Sequence, residues 1–284
     1  MKTDLLTDIE SAVNHGYLEN NGVKIHYASL GTGPLVLFVH GFPDYWYTWR
    51  NQMLSLSEHF QTVAIDLRGY NLSDKPAGRD QYQMQQLVSD IVAVGRHFQK
   101  KLFALVGHDW GGAISWCTAM AAPDLIERLV ICNSHHPATM RRELEHSPEQ
   151  QKASSYAKLF KIPGAHRKVT MDDLVKWIED PAAKEKYVEA FGRSDVEAMI
   201  SYYQNYPDFP NVGEPKPFPK IKCPVLHLHG LDDQFILPGG LDGTWQWVDN
   251  EYTLVTIPGA GHFVQHDASA SVSKHLKKWL VPLD

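Results

Sequence analysis

The chain has little cysteine, and what it has is not placed to pair. Cys117, Cys132 and Cys223 are an odd number among 284 residues, widely spaced, each inside an apolar run. That argues against a disulfide framework and predicts buried free thiols. No Cys/His group has ligand spacing along the chain, so neither a metal nor another cofactor is expected. Basic tracts are missing too: 27 Lys and Arg against 33 Asp and Glu leave a net charge of −6, which argues against nucleic acid and anionic membranes as partners. No apolar run is long enough for a membrane span or a secretory signal, and acids stand early at Asp4 and Asp8. A cytoplasmic location is therefore expected. Repeats and low-complexity segments are absent. The 43% hydrophobic content is ordinary for a soluble globular protein and supplies ample core.

Periodicity sets the architecture. Tyr17 to Glu19 and Val23 to Leu30 flank Asn20-Asn21-Gly22, a hairpin signal in which Asn and Gly supply positive φ. Leu35 to Val39, Thr62 to Ile65, Leu102 to Val106, Val225 to His229 and Tyr252 to Ile257 read as strands, with helical stretches between several of them. Strands alternating with helices predict an α/β fold: a mostly parallel sheet with helices on both faces after an antiparallel start. From His135 to Pro215 no strand pattern occurs, while charged and aromatic residues recur at helical spacing in Met171 to Glu179 and Ala182 to Phe191. The organisation expected is a core in two parts, residues 1–134 and 216–284, around a helical cap at 135–215. Two proline-rich stretches, Tyr206 to Pro210 and Pro215 to Pro219, read as a stiff return strap because proline fixes φ.

The most informative stretch is Gly107-His108-Asp109-Trp110-Gly111-Gly112. It has the spacing of a G-x-S-x-G nucleophile elbow, a sharp strand-to-helix turn, with aspartate in the serine position. The apolar run Leu102 to Val106 precedes it. The small, apolar segment Ala113 to Ala122, closed by Pro123, follows it. A carboxylate at Asp109 would suit a plain helix N-terminus. As a nucleophile it needs no base and attacks saturated carbon directly, so the substrate would carry an epoxide oxygen or a halide. An acyl substrate is disfavoured because carboxylate attack would give an anhydride. A base and an orienting acid are then required downstream, in the order nucleophile, acid, histidine. Asp232 and Asp233 follow the strand Val225 to His229. His262 ends the loop Pro258-Gly259-Ala260-Gly261 after the next strand. Both places lie past strand C-terminal ends, where open α/β sheets put their sites.

Four stretches together are highly specific: His40-Gly41-Phe42-Pro43, Asp66 to Asp74, the Asp109 elbow, and Gly259-Ala260-Gly261-His262-Phe263. By them the chain resembles, over essentially its whole length, the epoxide hydrolases of the α/β-hydrolase fold, relatives of haloalkane and haloacetate dehalogenases. The resemblance implies that Asp233 rather than Asp232 is the acid. It also implies two cap phenols, Tyr156 ahead of Phe160-Lys161-Ile162-Pro163-Gly164 and Tyr203 in Tyr202-Tyr203-Gln204-Asn205. The backbone amides of Phe42 and Trp110 are the expected oxyanion hole, with Phe42-Pro43 a candidate cis bond. Trp110, Phe42 and Pro43 are expected at the substrate. His108 should point away from it, and His136 should serve as a wall or hinge.

The expected chemistry is opening of an epoxide by Asp109 while Tyr156 and Tyr203 protonate the ring oxygen. Water activated by His262 and Asp233 then releases a diol. The partners are a small-molecule epoxide and water, with the chain a monomer or homodimer. A haloalkane or haloacetate dehalogenase would use the same triad but needs N–H donors for halide. A non-catalytic ligand receptor on the same fold would have no need of all three triad members.

Overall fold

A computed structural model describes residues 9–98, 103–206 and 218–280. Its centre is an eight-stranded sheet: β1 (Asn14–Asn20), β2 (Val23–Leu30), β3 (Leu35–Val39), β4 (Gln61–Ile65), β5 (Phe103–His108), β6 (Ile126–Cys132), β7 (Val225–Gly230) and β8 (Tyr252–Ile257). The order across the sheet is β1-β2-β4-β3-β5-β6-β7-β8. β1 and β2 form the expected hairpin, turning through Asn21 at φ 51° and Gly22 at φ 80°. β2 pairs antiparallel with β4, and every later pairing is parallel. All residues of β3, β5 and β7 are buried, as continuous apolar strands covered on both faces must be.

Helices α1 (Ile9–Ala12), α2 (Arg50–Leu56), α3 (Met84–His97) and α4 (Trp110–Ala121) precede β6. Helices α11 (Val264–Asp267) and α12 (Ser269–Leu280) close the described chain. Between β6 and β7 the described residues hold no strand. They form α5 (Pro137–His146), α6 (Pro148–Ala153), α7 (Ser155–Phe160), α8 (Met171–Val175), α9 (Pro181–Arg193) and α10 (Val196–Gln204). Local chemistry starts these helices. Proline opens α5, α6 and α9, where its missing N–H costs nothing. Ser147, Thr170, Asp180 and Asp195 cap α6, α8, α9 and α10 through their side chains.

Buried polar contacts tie this helical segment to the sheet layer. The Tyr202 hydroxyl of α10 donates to the Arg68 carbonyl at 2.8 Å, and the Tyr187 hydroxyl of α9 to Asp44 Oδ1 at 2.8 Å. Arg68 is itself buried and held by Asp90 through two bonds of 2.7 Å.

The structure moves several expected boundaries. β5 reaches His108, one residue short of Asp109; its expected start, Leu102, lies outside the described residues. α4 begins at Trp110 rather than Ala113, because Gly111 and Gly112 sit inside it. α8 stops at Val175, well short of Glu179, and α9 extends to Arg193. Most of the proline strap lies outside the described residues.

Candidate active site

The C-terminal ends of the parallel strands deliver the functional groups to one edge of the sheet. Asp109 stands between β5 and α4 at φ 50°, ψ −119°, a conformation that non-glycine residues rarely adopt and that is held only by its surroundings. Gly111 makes the turn sterically feasible: a Cβ on it would lie 2.2 Å from the Val39 carbonyl oxygen. The side chain of Asp109 is 8% exposed, buried yet open to the cavity described below.

Its two oxygens have different partners. Oδ1 accepts a hydrogen bond from the Phe42 amide at 2.8 Å, and Oδ2 lies 3.5 Å from His262 Nε2. Phe42-Pro43 is cis. Trp110 is the first residue of α4, so its N–H has no intrahelical acceptor and is the second donor available beside Asp109. One carboxylate oxygen is thus held by a backbone donor and the other faces His262.

His262 Nδ1 donates to Asp233 Oδ2 at 2.8 Å, which fixes Nε2 toward Asp109. Asp233 is held in turn by Asn133 Nδ2 at 2.7 Å and by the amides of Phe235 and Ile236 at 2.8 and 3.0 Å. Among the described residues the Asp232 side chain makes none of these contacts, and its backbone amide donates to the Ala260 carbonyl. Asn133 follows β6 at φ 42° and also accepts from the Gly230 amide at 3.0 Å. Sequence reading missed this residue, since its role depends on β6 lying beside β7. His108 is buried and faces away from the cavity. Its Nε2 donates to the His262 carbonyl at 2.8 Å while Gln265 Nε2 donates to its Nδ1 at 3.2 Å, which anchors the backbone of His262.

Electrostatics follow from this packing. Burial pushes the Asp109 carboxyl up, but the hydrogen bond and charge of His262, with help from His108 and the Phe42 amide, outweigh it and hold the carboxyl below the ordinary carboxylate range. Burial likewise opposes the Asp233 charge, and His262, the Ile236 amide and Asn133 overcome it, leaving Asp233 strongly acidic. Burial alone would lower His262; the two flanking carboxylates instead raise it to about 10. In the resting site the imidazole is therefore protonated between two aspartates.

A cavity of about 430 Å³ opens over Asp109, within the size range of small-molecule sites. Trp110, Tyr156 and Tyr203 line it, together with Met84, Leu87, Met140, Leu144 and Ile236. Tyr156 and Tyr203, from α7 and α10, meet edge to face at 5.8 Å, and Tyr203 also packs on Trp110 at 5.1 Å. Tyr202, the neighbour of Tyr203, spends its hydroxyl on Arg68 instead. Phe42 and Pro43 are not in the cavity wall. The Phe42 ring packs behind it, on Phe160 and Tyr203 at 5.5 Å each, so its contribution to the site is its amide. Cys117 lines the cavity, but burial pushes its thiol up to about 12, which makes it a poor nucleophile beside Asp109. His136 caps α5, accepting from the Ala138 amide at 3.2 Å.

Spacing along the chain shows no ligand set, but among the described residues the fold brings His135, His227 and His229 together. His227 and His229 alternate on β7, so strand pleating puts them on one face. His135 arrives from the loop after β6, which no spacing along the chain reveals.

Comparison with known proteins identifies the family. The family model described as alpha/beta hydrolase fold matches residues 34–269. Epoxide hydrolase 3 of Xenopus tropicalis is 31% identical over 94% of this chain and 77% of its own length. The Bacillus subtilis AB hydrolase superfamily protein YfhM is 30% identical over 93% of this chain and 96% of its own length. A solved Bacillus megaterium epoxide hydrolase in complex with an inhibitor superposes with a TM-score of 0.88 at 35% identity, covering 94% of this chain and all of that one. The chain belongs to the α/β-hydrolase fold family and, within it, to the epoxide hydrolases. No helix among the described residues is long and apolar enough to cross a membrane.

Proposed function

We propose that this chain converts an epoxide to a vicinal diol through an alkyl ester on Asp109. The observation that carries the proposal is the pairing, across one apolar cavity, of an elbow carboxylate already in contact with its base and two phenols from the helical segment. Asp109 Oδ2 attacks the epoxide carbon in line. Oδ1 stays on the backbone donors and becomes the ester carbonyl oxygen. Tyr156 and Tyr203 hydrogen-bond the ring oxygen, and one of them gives its proton as the C–O bond breaks. Burial raises both phenols above their ordinary value, so each holds its proton until an alkoxide demands it.

Ester formation removes the Asp109 charge, one of the two that raise His262. The imidazole then falls toward neutrality and becomes competent as a base for water. Water attacks the ester carbonyl carbon, the Phe42 and Trp110 amides take the oxyanion, and Asp233 stabilises the imidazolium that results. Residues 135–215 act as the cap that brings the phenols and keeps bulk water off the alkylation step. The protein works in the cytoplasm on a small apolar epoxide.

Dehalogenation would use the same triad, but it would need N–H donors for the halide where this cavity presents the Tyr156 and Tyr203 phenols beside Trp110. The test is turnover of styrene oxide derivatives and alkyl bromides, followed by intact-mass analysis of His262→Ala. That variant is expected to accumulate an adduct of enzyme plus epoxide. Absence of any adduct, together with unimpaired turnover, would overturn the assignment of His262 as the base.

A further inference from the structure

Three buried imidazoles lie behind the catalytic acid loop, and the reaction uses none of them. His135, His227 and His229 are each 3% exposed or less, and one ligand atom from each lies within 4.8 Å of the others. Two have one ring nitrogen committed and the other bare. His135 Nε2 donates to the Leu237 carbonyl at 2.7 Å, leaving Nδ1 without a hydrogen-bond partner among the described residues. His227 Nδ1 meets the Tyr252 hydroxyl at 2.9 Å, leaving Nε2 without one. His229 makes no good hydrogen bond at either nitrogen; the Ile236 carbonyl is its one weak partner. Buried polar atoms are satisfied in the great majority of cases, so three neighbouring imidazoles that each keep a ring nitrogen without a protein partner mark a place for a ligand.

We propose that His135 Nδ1, His227 Nε2 and one nitrogen of His229 bind a borderline divalent transition metal of the zinc class. The arrangement follows the usual rule that a ligating histidine donates its second ring N–H to a carbonyl or other acceptor, which sets the tautomer; the Leu237 carbonyl and the Tyr252 oxygen fill that role here. Three neutral nitrogens with no free carboxylate suit zinc, nickel, cobalt or copper and exclude magnesium and calcium as preferred ions. Size agrees as well. A tetrahedral metal at about 2.0–2.1 Å from each nitrogen holds imidazole centroids roughly 5.2 Å apart. The separations here are 5.5 Å for His135 and His229, 6.1 Å for His227 and His229, and 6.5 Å for His135 and His227, so the rings must draw together by roughly 1 Å to share one ion. His135 lines the substrate cavity, and a water ligand enters from that side. The bound ion clamps the end of β7 to the loop after β6.

Purified, chelator-treated protein titrated with cobalt(II) tests this without any variant. Uptake of one ion per chain is expected, with the visible absorption of a tetrahedral or five-coordinate site and X-ray absorption scattering from three imidazoles. His227→Gln is expected to abolish that spectrum. Tyr252→Phe, which removes only the outer partner and leaves the fold packed, is expected to weaken binding by about 10- to 100-fold. No saturable uptake by the unmodified protein below millimolar cobalt would overturn the proposal. So would a spectrum that survives both substitutions, since the ion would then sit on surface histidines.

Discussion

At the scale of single residues, the two oxygens of Asp109 do different work because their neighbours differ. Oδ1 is bound to the Phe42 amide and Oδ2 faces His262. On the proposed mechanism the phenols decide which leaving group is accepted. Tyr156→Phe and Tyr203→Phe are each expected to slow alkylation by an epoxide. Loss of a positioned general acid costs about 10² to 10⁴ in rate, and the remaining phenol offsets part of that in each single variant. The double variant is expected to lose far more than either. Alkylation by an alkyl bromide, whose leaving group needs no proton, is expected to survive the double change. Pre-steady-state alkylation rates with one epoxide and one bromide settle the matter: an epoxide rate unchanged in the double variant removes both tyrosines from the chemistry.

At the scale of elements, strand ends supply the triad and helices supply the phenols, and these two sets were not equally legible. Asp109, the acid pair at 232 and 233 and His262 could be read from the chain, because each follows an apolar strand whose pattern is visible in a few residues. Choosing Asp233 over Asp232, and finding Tyr156 and Tyr203 at all, depended on family resemblance, since tyrosines on amphipathic helices look alike until packing separates Tyr203 from Tyr202. Asn133 and the histidine cluster escaped for a further reason: both arise where β6 and its following loop meet β7, a contact between segments about a hundred residues apart, as in the bond from Asn133 to Asp233. The helical segment is anchored through α9 as well as α10. Tyr187 donates to buried Asp44, whose carboxyl burial raises to about 7. Tyr187→Phe is expected to destabilise the protein by about 1–3 kcal/mol, because a buried acceptor loses a donor. Denaturant unfolding measures it, and a change below a few tenths of a kcal/mol would show that this bond does not hold the segment down.

At the scale of the whole molecule, buried ionisable groups give stability a defined pH dependence. Burial lowers His40 and His108 from 6.5 to about 4 and His266 well below 6.5. Between about pH 4 and 6.5 the unfolded chain therefore binds more protons at these three positions than the folded one, and stability rises with pH. Asp44, raised from 3.8 to about 7, acts in the opposite sense over much of that range, but further buried histidines, among them His135 and His136, are lowered as well and add to the acid limb. His262, raised from 6.5 to about 10, contributes stability that is complete below 6.5 and is lost as pH climbs through 10. The melting temperature is thus expected to peak near neutrality, with a steeper acid limb and a shallow alkaline decline. His262→Ala is expected to flatten the alkaline decline. Calorimetry from pH 4 to 10 checks this, and a melting temperature that keeps rising from pH 7 to 10 would contradict it.

The central claim is that Asp109 bonds covalently to the substrate carbon. Single-turnover hydrolysis of an epoxide in H₂¹⁸O, followed by peptide mass analysis, tests it most directly. The account predicts label in the Asp109 carboxylate and an unlabelled diol, because the oxygen added to the diol comes from Oδ2 and the solvent oxygen enters at the ester carbonyl. Label in the diol on the first turnover, with Asp109 unlabelled, would mean direct attack by water and would contradict it.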